Sequence, residues 1–326
     1  MKIRKSPTLI LTVLGIPFLG TALAEDDPKP AAPKPKLTRV AEIKGFSSPE
    51  SVAADSGHLF VSNVGKELKP MEKDGDGFIS RMGPKGEDPD FHFIDGLNAP
   101  KGMLVTGGTL YVCDVDVLLG FNPATKEKTF ELSFAKDGVK FLNDVCAGPK
   151  GTLFVSATDT NAVYKVDIAA KSATPIKFDV PPKGPNGLSF ITSEDAYLLV
   201  AEWGADEKPN GSVRAFELEK DMSEGTVEEN DEAFPIKNGY LDGLAILTKD
   251  GEPSGVLHTD WVDFKPGGKL YLTHLDAEEG VGISVPLEIG EVGGPADFLY
   301  QPDTTTLALP CMLEGRVLLF TLDLGK

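Results

Sequence analysis

Six short segments share one pattern, in which the second position is usually polar. They are Pro49-Glu50-Ser51-Val52, Pro100-Lys101-Gly102-Met103, Leu142-Asn143-Asp144-Val145, Pro185-Asn186-Gly187-Leu188, Leu241-Asp242-Gly243-Leu244 and Pro295-Ala296-Asp297-Phe298. The second positions offer two carboxylates, two carboxamides, one ammonium and one methyl group. Glu50, Asn143, Asn186 and Asp242 are hard oxygen donors, the kind that Ca2+ collects about six to eight at a time, water included. Neither His nor Cys falls in the set, which argues against zinc and copper. A single Asn-Gly or Asp-Gly is an ordinary turn element. Four donors at matching points of a repeat make a candidate site for one divalent cation, with calcium the best fit. In the alternative, the same groups bond one another and ordered water in a wet channel.

The pattern dictates what must position these residues. Its second positions lie 51, 42, 43, 56 and 54 residues apart. After each comes an apolar run: LFVSN (59–63), LYVCD (110–114), LFVSA (153–157), LLVAE (198–202), GVLHTD (255–260) and TLALP (306–310). A third run led by Gly or Asn follows most of these, as in GFISR and NAVYKVD, and weaker fourth runs include FHFIDG, KTFELSF and TPIKFDV. About four strands per 40–55 residues, separated by Gly, Pro and Asp, is the make-up of a propeller blade. No stretch carries a helical period, so a parallel α/β fold is disfavoured. A sandwich would not bring one polar position of every unit together, whereas radial repetition does. The sequence therefore predicts an all-β, six-bladed β-propeller over residues 38–326, with the first strand of each blade lining the axis. LTRVAEIKGF (37–46) supplies the fourth strand of the last blade and closes the ring.

On the motifs PES, LND, PNG and LDG, residues 40–325 resemble the SMP-30/gluconolactonase-like region family, whose wider superfamily includes diisopropylfluorophosphatase and paraoxonase. The resemblance implies an axial calcium or similar cation held by Glu, Asn, Asn and Asp in that chain order, which fall on Glu50, Asn143, Asn186 and Asp242. It also implies hydrolysis of a lactone or ester, with Asp242 as both ligand and base. Two features depart from the pattern. The Arg and Asn side chains that hold a sugar lactone have no clear counterparts, and a sixth-blade His used by phosphotriesterase-like relatives is replaced by Ala296-Asp297. Phosphotriester hydrolysis is accordingly disfavoured.

Other residues invite a chemical role. Lys101, the one cation on the ring, is a candidate catalytic group that could steady an oxyanion; the plainer reading pairs it with Glu50 or Asp114. Lys101 and Ala296 leave the ring asymmetric, which suggests an open side there. Asn63, Asp114, Asp144 and Glu202 are candidates for orienting the ligands. His58, His92, His258 and His274 are scattered over different blades and read as structural or exposed rather than catalytic, with His258, on the second strand of blade five, the one to keep in view. The acidic run from Glu72 through Asp74 and Asp76 to Gly77 resembles half of an EF-hand loop. Its twelfth position is Gly83 rather than Glu, so a turn, or at most an accessory cation site, is expected. Cys113, Cys146 and Cys311 lie in apolar runs without CxxC spacing and read as buried free thiols. Trp261, in the 248–268 stretch, belongs to a lid or to an ordinary hairpin.

The ends of the chain set its context. Lys2, Arg4 and Lys5, an apolar stretch from Leu9 to Leu19, and Ala22-Leu23-Ala24 predict a signal peptide over 1–24. Residues 25–37 read as a Pro/Lys-rich linker. The net charge of −18 becomes −21 once those three basic residues leave, so nucleic acid and anionic membrane surfaces are disfavoured partners. Together these features predict an exported protein, periplasmic or extracellular, that hydrolyses a small lactone or ester at an axial cation. Two alternatives remain open: a non-catalytic propeller that binds a small ligand or protein partner around a structural metal, and a lyase acting on a cyclic ester.

Overall fold

The computed structural model describes residues 35–192, 195–206, 208–227, 237–276 and 280–325. The expected leader, and the linker up to residue 34, lie outside them. Six sheets, antiparallel but for one short rim pairing, follow one another along the chain as the blades of a propeller. Their inner strands are Pro49–Ala54, Pro100–Thr106, Leu142–Ala147, Pro185–Thr192, Leu241–Lys249 and the short Leu299–Gln301. In the sixth blade the motif itself pairs with the second strand through a bridge from Pro295 to Cys311 and through Ala296 N–H donating to the Pro310 carbonyl.

The ring closes as the sequence predicts. Lys36–Lys44 pairs antiparallel with Arg316–Asp323 and completes the sixth blade. One element of the predicted layout is corrected: the TPIKFDV run does not form a single outer strand. Ser172–Pro175 finishes the third blade, while Lys177–Phe178 pairs in parallel with Glu224 and Gly225 on the rim of the fourth. Pro175 lies at the junction, consistent with its missing N–H marking the end of a ladder.

Each second strand is nearly continuous in apolar residues because both of its faces are covered by neighbouring blades. Leu59–Asn63 and Thr306–Cys311 are buried almost throughout. Six of the hydrophobic clusters lie one at each junction between blades, as where Leu257, Leu270 and Leu272 of the fifth meet Leu307, Leu309 and Phe320 of the sixth. Every such side chain removed from water contributes about 1.5–3 kcal/mol. A blade alone would expose these faces, so the blades stand together. A seventh cluster, comprising Val64, Ala99, Val115, Trp261, Ala296 and Met312, belongs to no junction and packs around one end of the axis.

Candidate functional site

In five blades the inner strand breaks register across the motif, between Pro49 and Val52, Pro100 and Met103, Leu142 and Val145, Pro185 and Leu188, and Leu241 and Leu244. A bulge of this kind inserts an extra residue and re-aims a side chain. Here it carries Glu50, Lys101, Asn143, Asn186 and Asp242, which together line one cavity of about 150 Å3. The third motif position is often Gly because the next blade approaches closely. A Cβ on Gly187 would lie 2.2 Å from the Asp242 carbonyl oxygen, and one on Gly102 would lie 2.6 Å from that of Asn143.

The floor of the cavity is defined by atoms that lack partners. Glu50 Oε2, Asn143 Oδ1, Asn186 Oδ1 and Asp242 Oδ1 are all buried and accept no hydrogen bond. Buried acceptors normally find a donor. Four left unmet on one cavity, all oxygen and two of them on carboxylates, suit a hard cation. Among the described residues no three His, Cys, Asp or Glu side chains converge; this set needs its two carboxamides to reach four donors. Burial, then the neighbouring charges of Asp242 and Asp297, raises Glu50 well above the usual carboxylate range, with Lys101 opposing. Burial likewise raises Asp242 to about 7.

Hydrogen bonds fix the donors. Trp261 Nε1–H donates to Asp242 Oδ2 at 2.8 Å, and Asn143 Nδ2–H donates to Thr158 Oγ1 at 3.2 Å. These bonds occupy the other polar atom of each side chain and leave Oδ1 unmet. Blades one, three and five add a repeated support from the second strand. Ser62, Ser156 and Thr259 hydroxyls accept from the bulge N–H groups of Ser51, Asp144 and Gly243. Ser156 and Thr259 also donate onward to the carbonyls of Asn186 and Ala296.

Lys101 is placed differently from either expectation. Its ammonium donates to the backbone carbonyls of Pro70 at 2.9 Å and Ala99 at 2.8 Å, not to Glu50 or Asp114, and sits 5.0 Å from the centre of the Phe141 ring. Burial lowers its pKa, against the pull of Glu50 and Asp114. The ring has no open side at Ala296, which packs with Trp261, Met312 and Val64.

The four residues expected to orient the ligands turn out to serve the backbone. Asn63 Oδ1 accepts from Ser47 N–H, Asp114 from Asn98 and Ala99 N–H, and Glu202 from Lys183 N–H. Each pins the chain just before a motif. Glu202 also forms a buried ion pair with Arg214 at 3.2 Å. Asp144 lies past the ring, accepting from Leu188 and Val145 N–H. His258 is fully buried, with neither ring nitrogen hydrogen-bonded; it stacks on Tyr271, and burial lowers its pKa to about 3. It does not line the cavity. Asp76 and Asp74 accept from N–H groups of their own loop, and Gly77–Met82 is a strand, so the acidic run is a turn. All three cysteines are free, with Cys146 only half-buried.

Sequence reasoning missed the aromatic wall. Trp203, Tyr240, Trp261 and Phe264 form a mutually packed group with ring centres 5.1 to 6.0 Å apart. Trp203, Trp261 and Phe264 face the cavity together with Leu68, Phe141 and Met312. Residues 248–260 form an ordinary hairpin, so only the loop after it reaches the mouth. One signal was available: both tryptophans of the chain directly follow second strands, at Glu202 and Asp260.

No family model matches the sequence, and no curated protein matches it. Solved structures do share the architecture. A protein of provisional gluconolactonase assignment superposes with a TM-score of 0.59 at 16% identity, over 89% of this chain and 92% of its own. A luciferin-regenerating enzyme gives 0.58 at 14%, covering 88% and 95%. Virginiamycin B lyase from Staphylococcus aureus gives 0.54 at 13%, covering 88% and 99%. At these identities the likeness establishes the six-bladed propeller and no more.

Proposed function

We propose that this protein hydrolyses a small lactone or ester at a divalent cation, calcium, held by Glu50, Asn143, Asn186 and Asp242. One observation carries the reading: four buried acceptor oxygens from four blades meet one cavity without a donor among them. The ligand order also supports placing the chain in the SMP-30/gluconolactonase-like family. When bound, the cation would act as a Lewis acid on the substrate carbonyl. The chain's own residues do the rest. Trp261 N–H fixes the Asp242 carboxylate, which takes the proton of the attacking water as its oxygen adds to the carbonyl carbon. The bond from that carbon to the ester oxygen then breaks, and the proton passes to the departing oxygen. The aromatic wall keeps bulk water from the reacting carbonyl.

Lys101 ties the Pro70 loop to the start of its own blade by donating to the Pro70 and Ala99 carbonyls, a role in positioning rather than in the reaction. That leaves Glu50 and Asp242 as the other titratable side chains lining the cavity, which favours, as second reading, a propeller that binds its ligand without turnover. A panel of lactones and aryl esters separates the two. Chelator-sensitive hydrolysis, lost in Asp242→Ala, supports the hydrolase; saturable binding with no turnover of any member supports the binder. Unsaturated rather than hydrated product masses would point to a lyase. Export by a leader over 1–24 is part of the proposal, and mass spectrometry of the native N-terminus tests it.

A further inference from the structure

The polar atoms of the cavity are concentrated on its floor. Glu50, Asn143, Asn186 and Asp242 supply the unmet oxygens, while the Thr158 hydroxyl and the Lys101 ammonium already hold partners. Thr158 Oγ1 accepts from Asn143 and donates to the Pro185 carbonyl, and Lys101 is bound to two carbonyls. Above them the walls are Leu68, Phe141, Trp203, Trp261, Phe264 and Met312. The apolar surface continues outward. Seven large hydrophobic side chains are exposed among the described residues. Two of them, Leu68 and Phe264, line the cavity, and Met71, Val262 and Leu313 adjoin lining residues in the chain. Scattered exposed hydrophobics need no explanation, but a cluster around one concave opening marks a binding site.

We propose, resting on the hydrolase reading above, that the substrate is a flat apolar lactone or ester, aryl or benzo-fused, and not a polyhydroxylated sugar lactone. Its carbonyl meets the oxygen ring, and its ring body lies between Phe141 and the wall of Trp203, Trp261 and Phe264. The size agrees: an engineered apolar cavity of about 150 Å3 in another protein takes a benzene ring. A sugar lactone would carry several hydroxyls past walls built largely of hydrocarbon, with few donors or acceptors to meet them, and each hydroxyl buried without a partner is costly. The wall is also fixed in place. Asp260 Oδ1 accepts from both Tyr240 and Val262 N–H, holding the loop that carries Phe264. Val262 in that loop has φ 60°, a conformation that β-branched residues avoid.

The chain has two tryptophans, Trp203 and Trp261, both on this wall, so its intrinsic fluorescence reports on it. The calcium-loaded protein is titrated with 2-tetralone, the ketone in which CH2 replaces the ring oxygen of dihydrocoumarin and which cannot be hydrolysed. The expected result is saturable quenching, at least about tenfold tighter than with D-glucono-1,5-lactone. Phe264→Ser, at a side chain 57% exposed, should weaken 2-tetralone roughly three- to tenfold and leave the fold intact. Absence of saturable quenching, or equal affinity for the sugar lactone, overturns the proposal. So does a dimer in size-exclusion chromatography that Phe264→Ser dissociates without changing 2-tetralone binding, since a second copy would then be what covers the rim. Turnover is read separately: tight 2-tetralone with no hydrolysis of dihydrocoumarin sinks the hydrolase reading and leaves the apolar ligand class standing.

Discussion

At the mouth of the channel, Glu50, Asn143, Asn186 and Asp242 each leave an acceptor oxygen unmet. One position further along the same motifs, Ser51, Asp144 and Asp297 are hydrogen-bonded, and Asp144 and Asp297 line a separate cavity. Ser51 Oγ donates to Asp297 Oδ2 at 2.5 Å and accepts from Met103 N–H, while Asp144 accepts from Leu188 N–H at 2.7 Å. Burial raises both carboxyls, Asp144 to about 6. Adjacent residues of one repeat thus divide the work. The inner position is kept short of donors, and the next is used to bind blade to blade.

That division gives the mutations opposite expected costs. Asp144→Ala strands the Leu188 N–H in the interior and should lower stability by about 3 kcal/mol in urea denaturation. Asn186→Ala, measured with chelator present, removes an oxygen that had no partner and should cost less than about 1 kcal/mol. Equal costs would break the comparison.

His258 offers a control away from the axis, since its ring is buried unpaired and no partner is proposed for it. Its folded pKa of about 3 lies below the ordinary 6.5, so the unfolded chain takes up the proton first. Stability from the neutral ring is complete above pH 6.5 and is lost as pH falls toward 3, by about 2 kcal/mol at pH 5. His258→Phe, which keeps a ring against Tyr271, should remove that part of the pH dependence; an unchanged slope would show that the histidine is not buried neutral. Trp261→Phe keeps the wall but loses the bond to Asp242, and should weaken calcium about tenfold by calorimetry. Ser156→Ala loses the link from Asp144 N–H to the Asn186 carbonyl and should cost about 1 kcal/mol.

Much of this was legible in the sequence. Six matching motifs, five of them with a polar second position, required a radial fold, and their apolar second strands required burial on both faces. The four oxygen donors were nameable because a repeat places equivalent residues at equivalent heights. The bulge that turns them inward was not legible, since a register shift depends on the partner strand. The destination of Lys101 was hidden for a related reason: its carbonyl partners, Pro70 and Ala99, are backbone groups that any residue could supply. The aromatic wall draws on loops after strands of different blades, where no shared period marks it. Asn63, Asp114 and Glu202 looked like supports for the ligands because they end second strands; they support the backbone one turn earlier instead.

The central claim is that the four unmet oxygens hold one calcium ion, and calorimetric titration of the chelator-stripped protein with CaCl2 tests it most directly. One site per chain is expected, with a rise in unfolding stability of about 2.7 kcal/mol at a hundredfold excess over Kd, and both effects absent in Asn186→Ala. A stripped protein that takes up no calcium, or a variant that binds it as tightly as the parent chain, would contradict the account.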